Sequence, residues 1–416
     1  MTQALFPPSL NLLRIQLDFT RVPFSDRGSR LLVFLNPDNH SLYIRLAERL
    51  TSIDADIEAY LRRPPFIFDF TFIDENGAAI DYQTMTYPQA ITFQTHLGDF
   101  GLVFRNNHSL AIGLPRQATC GVSFHVSPQY WKENPHGGEF KSIRNLAYIT
   151  NAEVLVNQIK PEKGGYKVEF IVQSGEDSTI LLNFGNSLPT QEEMLPFSTL
   201  YQAAEKRWME WFESVPPVAE PYIRTYAYAW WVMFNNLVRP QGSIVYEAMM
   251  PSKVNYVGLW LWDSAMHALA FRHVNPELAR NQIRSMIECQ LPDGMIPDAV
   301  YDEGVISRID HPIKAEVTKP PILAWAALKL HETDPDLKFL EDIYIPLIRW
   351  NAWWFSMNDD DVDGLAQYNH PYSSGLDDNP LWDYGMPVES PDLNTYLCVQ
   401  MGSLALIAEL LGMEAE

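Results

Sequence analysis

The sequence predicts a multidomain chain, an N-terminal antiparallel β-sandwich followed by an all-α domain, and three observations along its length carry that expectation. Up to about Gly185 the chain runs in short alternating or β-branched stretches broken by Pro, Gly, Asn and Asp, the pattern of sandwich strands. After Pro217 apolar residues recur every three to four positions over long segments, the period of helices with one buried face. Tryptophan marks the same divide: eleven of twelve lie at or beyond Trp208, leaving Trp131 alone in the first half. The boundaries read as 1–185 for the sandwich, 186–216 for a linker helix and 217–416 for the helical domain.

Within the first part, SLNLLRIQLDF, SRLLVFLN, FIFDFTFI before Asp74-Glu75-Asn76-Gly77, AITFQTHL, GLVFRN, GVSFHV, AEVLVNQI before Lys163-Gly164-Gly165, KVEFIVQ and TILLNFG read as strands. A helical interruption is expected around Ser41 to Arg62, where LYIRLAERL and IEAYLRR carry the three-four period. His125, in GVSFHVSP, reads as a hydrogen-bonded strand histidine, with contact to a ligand as the alternative. A helix is expected to begin at Thr190-Gln191-Glu192-Glu193 and to end before Pro216-Pro217, because a residue preceding proline resists helical geometry.

Six helices follow, at AEPYIRTYAYAWWVMFNNLV, DSAMHALAFRHV, NPELARNQIRSMIECQ, KPPILAWAALKLHE, LKFLEDIYIPLIRWNAWWFSM and PDLNTYLCVQMGSLALIAELLG. Asp263 stands before Ser264-Ala265 as a candidate N-cap, and Asn275-Pro276-Glu277 and Ser390-Pro391-Asp392 put proline at the first helical position. Trp230, Trp231, Trp353 and Trp354 fall at helical spacing and read as helix contacts.

Composition narrows the function. A net charge of −22 works against binding phosphate backbones, so nucleic acid is not an expected partner. Cys120, Cys289 and Cys398 lie far apart, without zinc-site spacing, and are expected as reduced, buried thiols. The segment MTQALFPPSLNLLRIQ lacks the order of a secretory leader and no run of about eighteen apolar residues appears, so the expected location is cytoplasmic and no membrane partner is expected. Asp359, Asp361 and Asp363 before Gly364 form half of a calcium loop, but the twelfth position is His370 where a bidentate Glu is needed; an acidic turn is the expectation, with no metal or cofactor.

One stretch concentrates chemistry: HPYSSGLDDNPLWD, His370 to Asp383. Ser373-Ser374-Gly375 makes a tight turn, Leu376 is an apolar anchor, and Asp377-Asp378 follow with Trp382 nearby. A glycosidase needs a carboxylic acid whose pKa is raised by apolar or like-charged neighbours, and Asp378, Asp383 and Trp382 are placed to raise that of Asp377. An acidic surface loop capped by prolines is the structural alternative.

Ser-Gly-Leu-Asp-Asp-Asn-Pro-Leu-Trp-Asp resembles the general-acid loop of inverting α-glycosidases with (α/α)6 barrels. These are chiefly glycoside hydrolase family 63, which includes mannosylglycerate hydrolases and the processing α-glucosidase, with trehalases as more distant kin. Gly258 to Asp298 is similar to the Trp-Asp-Ser helix start of these families and the following helix, and Thr318-Lys319-Pro320-Pro321 is similar to a third block. The resemblance covers roughly residues 220 to 412 and implies a carbohydrate substrate, with Asp377 as general acid. It implies sugar contacts from Trp262 and Asp263, and it offers Lys253, Gln290, Asp293, Asp378 and Trp382 as further binding residues. Lys319 is offered as a partner for an anionic group such as a glycerate carboxylate. For Asp263, Lys253, Gln290, Asp293 and Lys319 a structural role (cap, solvated cation or helix-end polarity) stays open.

The resemblance also sets an expectation of incompleteness. Such a barrel needs twelve helices and six are legible here; in the family the general base is a Glu well downstream of the acid loop. The chain is therefore expected to be truncated at its C-terminus and inactive alone, or completed by self-association or a partner chain, its unpaired helices exposing apolar faces. The alternatives to an α-glucosidase or α-mannosidase are a non-catalytic carbohydrate-binding or assembly protein and, within the class, a trehalase or a debranching α-1,6-glucosidase. Lys319 and Ser373 depart from the trehalase pattern.

Overall fold

A computed structural model describes residues 12–14, 17–48, 65–142, 144–162, 164–185, 190 and 193–413. Two antiparallel sheets form the first part. One has six strands in the order Leu31–Leu35, Leu42–Leu46, Ile67–Asp74, Thr119–Val126, Gly165–Gln173, Glu153–Glu162. The other has eight, in the order Gln83–Thr86, Ala90–Thr95, Gly98–Asn106, Ser109–Gly113, Thr179–Asn183, Leu146–Thr150, Gly137–Lys141, Tyr130–Asn134. Alternate residues of both sheets meet in a sandwich core, where Phe72 of the first lies 4.3 Å from Phe100 and 4.8 Å from Phe93 of the second.

The expected helix over Ser41 to Arg62 is corrected in its first half. LYIRL is the strand Leu42–Leu46, because its alternation buries Leu42 and Ile44 in the sandwich core, and that period-two burial overrides the local three-four spacing. IEAYLRR lies outside the described residues. SLNLLRIQLDF, expected as a strand, forms none among its described residues, 12–14 and 17–19.

Seven helices follow among the described residues: α1 Phe197–Ser214, α2 Ile223–Asn236, α3 Leu261–Phe271, α4 Pro276–Ile287, α5 Leu323–Thr333, α6 Leu337–Met357 and α7 Pro391–Leu410. The linker helix starts at Phe197, later than Thr190, with Pro196 at its N-cap position. Its first residue explains two glycines: a Cβ on Gly101 or Gly113 would stand 2.3 Å from the Phe197 ring, so the helix seats against the eight-stranded sheet only where side chains are missing. Trp208 of α1 then packs on Phe234 of α2 with ring centroids 4.1 Å apart, and Trp211 donates its indole N–H to Trp230 O at 3.1 Å. The chain divides into two compact units, Met1–Ala47 with Arg63–Asn235 and Glu48–Arg62 with Asn236–Glu416.

In the second unit α3 packs on α4 and α5, and α7 on α5 and α6. Trp353 and Trp354 are buried helix contacts, as are Trp230 and Trp231 in the first unit. The N-caps of α4 and α6 are occupied by Asn275 and Asp336, each accepting a backbone N–H at 2.9 Å. One face of α7 buries Leu393, Leu397, Leu404 and Ile407, whereas Val399, Met401, Leu406 and Leu410 are 41–52% exposed. By length and composition α7 reaches the threshold for crossing a bilayer, a test its sequence was expected to fail; one of its faces is packed on α5 and α6 and the other is exposed. The three thiols are free but differ in burial: Cys120 is buried, Cys289 half-buried and Cys398 exposed on α7, which corrects the expectation for the latter two.

Candidate active site

Four segments of the second unit converge. Trp260 pairs with Ala299 in a short antiparallel ladder, and Leu261 N donates to Asp298 O at 3.1 Å, which brings the first turn of α3 beside Asp298. Thr318 Oγ1 donates to Ile296 O at 2.6 Å, holding the Thr318-Lys319-Pro320-Pro321 segment against the same strand entrance. Lys319 Nζ then lies 2.8 Å from Asp298 Oδ1 and also donates to Tyr372 O, in the acid loop.

That loop is closed at its base by reciprocal backbone bonds between Tyr368 and Val388 at 2.9 and 3.0 Å. Pro371–Ser374 forms a 3-10 turn and Gly375 follows at φ +72, so the tight turn expected from Ser-Ser-Gly is present. A Cβ on Gly375 would stand 2.2 Å from the Trp262 indole, so this glycine both reverses the chain and lets the loop lie on the ring beside Asp263. Trp382 donates its indole N–H to Leu376 O at 2.7 Å and anchors the residue before Asp377. His370 begins the turn with both ring nitrogens engaged: Nδ1 accepts from Tyr372 N and Nε2 faces His311 O, each at 3.1 Å, which requires the Nε2–H tautomer.

Electrostatics follow from this packing. Asp377 is solvent-accessible, yet its carboxyl is raised from the ordinary range by desolvation, pulled back by Lys319 and pushed up again by Asp378. Asp263 is raised by burial, opposed by its own backbone N–H and by Lys319. Asp298 is raised to about 6, chiefly by burial, against Lys319, with Asp377 and Asp263 adding to the rise. Three carboxyls therefore share one buried ammonium: burial raises all three, and Lys319 opposes the rise in each.

The structure sorts the residues singled out from sequence. Trp262, Asp263, Lys319 and Asp377 come together around Asp298, with Asp378 flanking Asp377. Asp263 is not the N-cap of α3: Trp260 holds that position, and Asp263 is the third helical residue. Lys319 is neither a surface lysine nor a free rim cation, being 5% exposed and tied to Asp298. Lys253 is likewise buried at 2% rather than solvated. Gln290 donates its amide to Gly294 O and Pro346 O at 2.8 and 2.7 Å, tying the turn after α4 to α6, and Asp293 accepts from Met295 N at 3.0 Å within that turn. Asp383 is an exposed residue of the 3-10 turn Pro380–Tyr384. Asp298 was missed: it ends the Gly258–Asp298 block, and its signal was an acid directly after Ile296-Pro297 at a strand entrance. Tyr372, whose hydroxyl pKa is raised by burial and by Asp377 and Asp378, was missed inside the acid stretch itself.

The carboxylates of Asp359, Asp361 and Asp363 gather with their oxygens within 4.8 Å, so as a set they could ligate a cation. Asp359 accepts from Asp363 N at 3.2 Å and Gly364 N at 3.0 Å, the bonds of a tight acidic turn.

Comparison with known proteins bears on this site. Residues 256–416 match the domain family described as the mannosylglycerate hydrolase MGH1-like glycoside hydrolase domain. Mannosylglycerate hydrolase of Thermus thermophilus is 30% identical over 161 residues, 34% of this chain and 39% of that protein. Mannosylglycerate hydrolase MGH2 of Selaginella moellendorffii is 26% identical over 168 residues, 37% of this chain and 34% of that protein. Glucosylglycerate hydrolase of Mycolicibacterium hassiacum is 25% identical over 153 residues, covering 31% and 34%. The chain thus spans 34–39% of the length of these curated relatives. Among solved structures, a family GH92 α-mannosidase from Bacteroides thetaiotaomicron aligns over 98% of this chain and 64% of its own, with a TM-score of 0.56 at 10% identity. A family GH92 inverting mannosidase of the same organism aligns over 94% and 59%, with a TM-score of 0.55 at 12% identity; both likenesses show the fold alone, β-sheets followed by helices. Over residues 256–416 the chain is thus similar to the MGH1-like glycoside hydrolase domain and, distantly, to mannosylglycerate and glucosylglycerate hydrolases.

Proposed function

We propose that the Asp377 loop is the general-acid loop of an inverting α-glycosidase acting on an α-mannoside or α-glucoside of a small polar aglycone, of the kind named by mannosylglycerate and glucosylglycerate hydrolases. The observation that carries the reading is the raised carboxyl of Asp377, flanked by Asp378 and set near the Asp263, Asp298 and Lys319 cluster. Protonation of the leaving oxygen needs a carboxyl raised above the ordinary carboxylate range, and desolvation of Asp377 beside Asp378 moves it in that direction. Trp262 offers an apolar face and Asp263 a hydroxyl acceptor for the sugar being cleaved. Inversion further requires a second carboxylate about 6.5–9.5 Å away to deprotonate water, a role assigned here to no residue.

The test is hydrolysis of mannosylglycerate and glucosylglycerate by the wild-type chain and Asp377→Asn, with the product anomer followed by NMR and affinity by calorimetry. With no second carboxylate assigned, the chain alone is expected to bind without turnover; where hydrolysis occurs the product is inverted, and Asp377→Asn loses about 100-fold or more in turnover with affinity kept. Full turnover in Asp377→Asn removes Asp377 as the acid.

A further inference from the structure

The first compact unit has a cavity of 510 Å3 lined by Tyr43, Arg45, Phe68, Asp69, Asn36 and Ser41 among others. Its position follows from strand alternation. Leu42 and Ile44 enter the sandwich core, so Tyr43 and Arg45 point to the opposite, outer face of the six-stranded sheet.

The neighbouring strand breaks its alternation at this place. Ile67 and Phe70 both enter the core although three positions apart, the register with Thr119–Val126 slips between Phe68 and Thr71, and Asp69 takes φ +50. This is a β-bulge, and it leaves two consecutive side chains, Phe68 and Asp69, on the outer face where a regular strand leaves one. A non-glycine residue at positive φ is disfavoured, and it persists where the surroundings impose it.

The surroundings are ordered around these two residues. Asp69 Oδ1 accepts from Asn39 Nδ2 at 3.1 Å. Phe68 stacks on His125 with centroids 5.2 Å apart, and Tyr43 stacks on Phe34 at 5.1 Å with the Arg45 guanidinium 5.9 Å from its ring. His125 Nε2 lies 2.8 Å from Glu162, the hydrogen-bonded strand histidine expected from sequence. Its Nδ1 makes no hydrogen bond, lying 3.7 Å from Asp69 Oδ2.

Fixed aromatic rings, a carboxylate, a guanidinium, an amide and a hydroxyl thus line one cavity, whose volume falls within the range of about 300–1,000 Å3 for small-molecule sites. Flat rings suit the C–H faces of a pyranose, and acceptors and donors of both signs suit its hydroxyls. Asp69 beside the cavity opposes an anionic ligand, as does the net charge of −22. We propose that this pocket is a saccharide-binding site, taking a neutral hexose unit of an oligosaccharide or glycan between the Tyr43 and Phe68 rings and the Asp69 and Arg45 side chains. It shares no residue with the Asp377 cluster, so it stands or falls independently of the glycosidase reading.

Affinity electrophoresis of the full chain through gels containing glycogen, α-mannan or heparin tests this, with maltotriose and α-mannotriose titrated by calorimetry. The expected result is retardation by one of the neutral glycans, weakened about tenfold or more by Asp69→Asn and by Tyr43→Ala. Asn adopts positive φ as readily as Asp, so Asp69→Asn tests the site even where Tyr43→Ala fails to fold. No retardation by either neutral glycan overturns the proposal, as does retardation by heparin alone. Retardation kept at full strength in both pocket variants also overturns it.

Discussion

Replacing Lys319 with methionine would remove the ammonium that three carboxyls share, and the outcome depends on pH. Two unit charges 2.8 Å apart attract by about 6 kcal/mol at an effective dielectric of about 20, from which desolvation of both groups subtracts. Breaking such a buried pair on one side costs about 3–5 kcal/mol when the remaining charge cannot escape. Asp298 can escape by taking a proton. Its folded pKa is already raised to about 6, chiefly by burial, so its contribution to stability is fully present below the ordinary carboxylate pKa and is lost as pH rises through about 6. Lys319→Met raises that folded pKa further and widens the window upward. At pH 8, two units above the wild-type value, the variant is destabilised by about 3 kcal/mol relative to wild type. At pH 5 Asp298 is largely protonated in both proteins, and the deficit falls to about 1 kcal/mol, the bond from Lys319 to Tyr372 O. Urea unfolding followed by tryptophan fluorescence at the two pH values measures this, because every tryptophan from Trp260 onward reports on the second unit. The double variant Lys319→Met/Asp298→Asn should recover most of the pH 8 loss. An equal deficit at pH 5 and pH 8, or a double variant no more stable at pH 8 than Lys319→Met, refutes the reasoning.

Two further outcomes follow from the same region. Gly375→Ala adds a methyl group 2.2 Å from the Trp262 ring at a residue with φ +72 and should destabilise the second unit by about 2–4 kcal/mol; an unchanged melting temperature would show that Trp262 gives way freely. His267 has its pKa pushed down to about 4 by burial, opposed by its bond to Met249 O, so the stability it contributes is present above about pH 6.5 and is lost as pH falls through about 4. An NMR titration of its ring should show neutral imidazole at pH 5, with His267→Gln flattening the acid limb of the stability curve by up to about 3 kcal/mol; a midpoint near 6.5 would contradict the burial argument.

Much of this molecule was legible in its residue order because the relevant physics is local. Alternation against a three-four period separated sheets from helices, and all six helices of the second part were readable from one buried stripe each. The acid loop was legible as well, since Ser-Ser-Gly demands a tight reversal whatever surrounds it, and Gly375 adopts φ +72. LYIRL misled because five residues fit both periods, and only the sandwich core that receives Leu42 and Ile44 decides between them. Whether a charged residue is surface or core is a property of what packs over it, so Lys319 and Lys253 read as exposed cations and are buried. Asp298 gained its meaning only when Leu261 N reached its carbonyl and Lys319 reached its carboxyl, contacts made across 37 and 21 residues of chain. Spacing alone determined which elements form; the tertiary structure decided which of their side chains share one dielectric, because charge interactions depend on distance and desolvation, and neither is written along a chain.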